Sequence, residues 1–166
     1  MTPFSENPFA ALTIVAAPAI LTNASSVLCL GTANRLARVV DRTHAVSAEL
    51  AKAEPNAEGY LACRRKLEAL RTRWTLVLKA LKLFYVSLGS FAGATLISLL
   101  GAVIAASSPH LSFPFIALGL ASGTVGVGGL VYGCSLMMQE TRLAIRNLEE
   151  EEAVLIAPPD ENTGSR

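Results

Sequence analysis

Few side chains in this sequence could do chemistry, and their spacing brings almost none of them together. Three cysteines stand at Cys29, Cys63 and Cys134, and two histidines at His44 and His110. No two cysteines form a C-x-x-C pair and no histidine has a second ligand type near it, so the spacing offers neither a zinc site nor a redox couple. Cys29 and Cys134 suit small packing positions and Cys63 suits a reduced thiol, with acylation the other chemistry open to it. Gly126-Val-Gly-Gly129 has the glycines of a phosphate-binding loop but not the strand that must precede one. No nucleophile lies beside a base, so the chain reads as a non-enzyme with no cofactor and no metal ion.

The remaining polar candidates act through contact. Asn23 is the most polar side chain inside the first apolar stretch, where an amide serves best as a hydrogen bond between helices. Arg35, Arg38, Asp41 and Arg42 form a charged cluster directly after that stretch. Arg38 with Asp41 lies at helical-neighbour spacing, so an interfacial anchor with an intrahelical ion pair is expected, or else a docking site for anionic lipid or an acidic partner. Trp74, Lys79 and Lys82, together with Tyr85, fall where a membrane interface belt would be. Lysine stems lying along the helix would carry their ammonium groups to anionic head groups.

The elements that position these residues follow from where charge is missing. From Leu83 to Gln139 the chain has no Asp, Glu, Lys or Arg for 57 consecutive residues, broken only by Ser107-Ser-Pro-His110. Each apolar run flanking that break exceeds the ~20 residues needed to span a bilayer. With 52% apolar residues overall, the chain belongs to the membrane class. The fold expected is all-α: three transmembrane helices and a cytoplasmic antiparallel helical hairpin that extends spans one and two.

Residues 1–8 read as an external N-terminus without the positive charge of a signal peptide, so the apolar stretch after them reads as a retained helix. Span one covers 9–32 and is kinked at Pro18. A basic hairpin covers 33–82, with its turn at Glu54-Pro-Asn56, since proline disfavours helix at the residue before it. Span two covers 83–107, an external turn 108–114, and span three 115–138. An acidic helix at 139–156 and a disordered tail at 157–166 complete the chain.

Eleven bases and five acids lie within residues 35–82, whereas the first 34 residues hold one acid and no base. Lysine and arginine in short loops stay in the cytoplasm. The orientation expected is therefore N-terminus outside and C-terminus inside, in a bacterial inner membrane. Glu149 to Glu152 forms a solvated acidic face that could fold back on Arg64, Arg65 and Lys66.

Small residues are concentrated on two helical faces. Ser87, Ser90, Ala94, Ser98, Gly101 and Ala105 fall within an arc of about 80° on span two, and Gly119, Gly123, Gly126 and Gly133 cluster similarly on span three. Such faces let helix backbones approach closely in lipid. They suit packing of the two spans on each other, a homo-oligomer interface, or, with the serines, an uncharged pore wall.

The segment from Pro18 to Arg42, with Asn34-Arg35 and Asp41-Arg42, resembles a family of small bacterial three-span inner-membrane proteins known only as a domain of unknown function. The resemblance extends over about Phe9 to Leu148. His44 stands where a further arginine would be expected. The resemblance implies the three-span layout and no activity. Two classes of function stay open: a structural or accessory assembly component with a protein partner, or a small oligomeric pore or transport-associated subunit. The layout also resembles Tol/Ton motor stator subunits and phage holins, without the sequence pattern of the former. Nothing points to nucleic acid.

Overall fold

The structure, a computed structural model, describes residues 10–52, 58–107 and 112–156, with side chains for 16–52, 59–104, 113–147 and 149. The described backbone is three helices: α1 at Ala10–Lys52, α2 at Glu58–Ser107 and α3 at Ser112–Ile156. Each holds a stretch long and apolar enough to cross a membrane, so the chain is an all-α multi-pass membrane protein. At 43, 50 and 45 residues the helices far exceed a ~30 Å hydrocarbon core, and about half of each must project beyond it.

No helix breaks where apolar sequence gives way to charge. α3 runs unbroken through Gln139 and Glu140, so span three and the acidic helix expected after it are one element. It also starts earlier than expected, taking in Ser112, Phe113 and Pro114 of the external turn. Proline is tolerated there because first-turn N–H groups have no intrahelical acceptor. Pro18 lies inside α1, and the Thr22 hydroxyl donates to its carbonyl at 2.8 Å. Residues 1–9, the hairpin turn at 54–56, the rest of the external turn at 108–111 and the tail at 157–166 lie outside the described residues.

α2 is the central helix, packed along α1 on one side and α3 on the other, while α1 and α3 scarcely approach each other. Its buried positions Val77, Ala80, Phe84, Ser87, Phe91 and Ala94 recur every three or four residues, the spacing of a left-handed coiled-coil seam. α3 answers in antiparallel register with glycines. A Cβ on Gly133 would fall 2.5 Å from the Phe84 ring, and one on Gly126 would fall 2.6 Å from the Phe91 ring. Gly129 lies directly against the Ser87 hydroxyl. At the far end the exchange reverses, with Phe115 of α3 seated on Gly101 of α2. These large-into-small contacts supply dispersion where lipid removes the hydrophobic incentive for helices to associate.

A second cluster joins all three helices. Cys29 of α1, Ala80, Leu81 and Phe84 of α2 and Leu136 of α3 are buried together. Several hydroxyl groups inside the spans are satisfied within their own helix: Ser25 donates to the Leu21 carbonyl at 2.8 Å and Ser87 to the Leu83 carbonyl at 2.9 Å. Such i to i−4 bonds let serine and threonine sit in apolar sequence without a solvent partner.

Candidate functional site

The seam of α3 continues past its glycines. Counting on from Gly133, the face passes through buried Leu136 and reaches Glu140, whose side chain is 0% exposed. On α2 the matching seam, counted back from Val77, reaches Arg73. Arg73 donates from Nε to Glu140 Oε1 at 2.9 Å, and its Nη2 lies 2.8 Å from the same oxygen. The third member comes from α1, where Arg35 places Nε 3.2 Å from Glu140 Oε2. That N–H is not aligned for a hydrogen bond, so Oε2 gains Coulomb attraction but lacks a donor.

One carboxylate thus joins three helices. Arg73 and Arg35 keep 19% and 37% of their side chains exposed. Their guanidinium groups stay partly hydrated while the carboxylate is fully withdrawn from solvent. A carboxylate so buried is stable only with its partners, and removing one leaves an uncompensated charge. Because α1 and α3 scarcely touch elsewhere, Arg35 to Glu140 is a direct tie between them. Among the described residues no three His, Cys, Asp or Glu side chains converge, so the chemistry here is that of one carboxylate between two guanidiniums.

The residues singled out in the sequence are divided between this site and the surface. Arg35 enters it. Arg38, Asp41 and Arg42 are exposed, and the ion pair expected of Arg38 and Asp41 is absent: the two point to open surface, and only Arg35 of this cluster faces α3. Trp74, Tyr85, Lys79 and Lys82 are exposed on α2. Arg64 pairs with Glu68 along its own helix at 3.4 Å. Asn23 is exposed and, among the described residues, makes no hydrogen bond through its side chain.

Of the small residues, Ser87 and Ala94 are buried, and the Ser90 carbonyl accepts from Ser122 of α3 at 2.8 Å. A Cβ on Gly119 would fall 3.6 Å from Ile97 and Ser98, Gly101 meets Phe115, and Gly126 and Gly133 receive phenylalanine rings. Gly123 faces open space, and Gly129, not anticipated, takes a place in the seam. The Ala105 side chain lies outside the described residues. The serine face of α2 weighed as a pore wall packs against α3 at Ser87 and Ser90.

Glu140 and Arg73 were missed as a site, although one signal was present: both extend the three-and-four spacing of their helices' packing faces beyond the apolar sequence. No curated protein and no solved structure is detectably similar to the chain. A family model described as "Protein of unknown function (DUF2721)" matches residues 15–150, and the three spans and the Glu140 cluster all lie within that match. The chain belongs to this DUF2721 family of proteins of unknown function.

Proposed function

We propose that this protein is a non-enzymatic assembly component of the bacterial inner membrane, its N-terminus outside and its C-terminus inside, that docks a second copy of itself along the outer face of α1. The observation that carries the reading is Asn23. It lies 12 residues from Arg35, or about 18 Å along the helix, which puts it near the bilayer midplane. Its amide is directed outward and, among the described residues, has no hydrogen-bond partner. A free amide in hydrocarbon is costly, and a helix from another chain can satisfy it.

The residues around it fit a close approach. Ala16, Ala19, Asn23, Ser26, Leu30 and Asn34 are all exposed and recur every three or four residues, with only Leu30 large. In a parallel pair of α1 helices, Asn23 would meet its counterpart at the two-fold axis. The orientation is supported by the eleven bases between the first two spans. The exposed Lys79 and Lys82 would meet anionic head groups on that side.

Crosslinking in native membranes tests the assembly. With the three native cysteines replaced, cysteines at Asn23, Ser26 or Leu30 should each give a crosslinked dimer, and Asn23→Leu should reduce the dimer captured at Leu30. A chain that stays monomeric at every position would end this reading. For topology, Ser112→Cys should label from outside in intact cells, and labelling only after lysis would reverse the orientation.

A further inference from the structure

Where α1 and α3 diverge they leave an open groove of about 510 Å³, lined by Leu28 of α1 and by Leu130, Val131, Cys134, Met138 and Arg142 of α3. Its walls are mostly apolar; Ser135, whose hydroxyl donates to the Tyr132 carbonyl, interrupts them, and one end carries Gln139 and Arg142. From Leu130 to Arg142 is 12 residues, about 18 Å of helix, close to the ~15 Å thickness of one hydrocarbon leaflet. The groove therefore starts near the bilayer midplane and ends at the level of the Glu140 cluster.

The charge at that end is unbalanced. Arg142 is exposed, and among the described residues its one polar contact is the Met138 thioether at 3.8 Å. Arg35 stands two turns beyond Leu28 on the same face of α1 and is held only by the misaligned 3.2 Å contact to Glu140. Arg142 is thus the one charged side chain in the groove's lining, and no carboxylate among the lining residues balances it.

We infer that the groove is a binding site for one anionic phospholipid, with an acyl chain lying from Met138 down to Leu130 and the phosphate held by Arg142. An apolar cleft open to lipid does not stay empty, so the chain fills it without selectivity. Selectivity comes from the headgroup, because guanidinium is planar, always charged and matched to phosphate oxygens. This inference does not depend on the assembly through α1, which uses a different face.

The test is native mass spectrometry of the full chain in mixed micelles with phosphatidylglycerol or phosphatidylcholine of identical acyl chains. Wild type should retain one phosphatidylglycerol about fivefold more strongly than phosphatidylcholine, the effect expected of one arginine near an anionic surface. Arg142→Gln should remove that preference, and Cys134→Trp, which fills the groove, should reduce retention of both lipids, each with an unchanged helical spectrum. Equal retention by wild type, or an undiminished preference in Arg142→Gln, would overturn the inference. So would displacement of the lipid by millimolar inorganic phosphate, which would assign the site to a free anion. A bismaleimide-linked dimer through Cys134 would give the groove to a second copy and overturn it likewise.

Discussion

Replacing Arg73 with methionine keeps most of the side-chain volume but removes the donor that holds Glu140. The carboxylate, 0% exposed, would then keep only the misaligned Arg35 contact at 3.2 Å. Removing one partner of a buried ion pair costs about 3–5 kcal/mol. Arg35 remains and Arg73 is itself partly exposed, so the low end applies: about 3 kcal/mol, roughly a hundredfold in the folded-to-unfolded ratio. Adding Glu140→Leu removes the stranded charge, and Arg35, already 37% exposed, can turn to water. The double variant should return to within about 1 kcal/mol of wild type. Reversible unfolding by sodium dodecyl sulfate in mixed micelles, followed by far-ultraviolet circular dichroism, gives the double-mutant cycle. A cost of Arg73→Met below about 0.5 kcal/mol, or two losses that simply add, would refute this role for Arg73.

The same measurement separates two neighbouring glycines. Gly133→Ala drives a methyl into the Phe84 ring and should cost about 1–3 kcal/mol, whereas Gly128→Ala enters open space and should be neutral or stabilise by up to about 1 kcal/mol. The native thiols report which surfaces meet water. A water-soluble maleimide applied to membranes opened on both sides should modify Cys63 much faster than buried Cys29 or Cys134, which is exposed only at lipid depth. Equal rates at Cys63 and Cys134, read by mass shift, would mean that the Cys134 face of α3 is not against lipid. Ser122→Ala removes the interhelical bond to the Ser90 carbonyl and should cost about 0.6 kcal/mol by the same unfolding assay.

The three spans were legible because a charge-free run of that length has few other uses, and the continuity of α1 and α2 because no proline interrupts them at the membrane surface. The seam was legible only in part. A straight-helix wheel advances 100° per residue and groups Gly119, Gly123, Gly126 and Gly133. The packed helices follow a repeat nearer 3.5, which passes over Gly123 and takes in Gly129. Glu140 was harder still. Read along the chain it is the first charge after a span and so belongs to the interface; its burial is decided by the register of α3 on α2 and by an arginine 67 positions earlier. Asn23 was recognisable as a polar residue at depth, but which way it faces depends on how α1 rotates against α2.

The order in which the cluster's members leave the ribosome differs from the order in which they are needed. Arg35 and Arg73 are synthesised well before Glu140, the last of the three. Until α3 is in place, both guanidiniums stand without their carboxylate, on two helices already packed on each other. The ion cluster can close only when the final helix has been inserted to its correct depth and rotation. A chain whose last helix is absent or out of register therefore keeps two unpaired guanidiniums where the finished fold has a closed ion cluster.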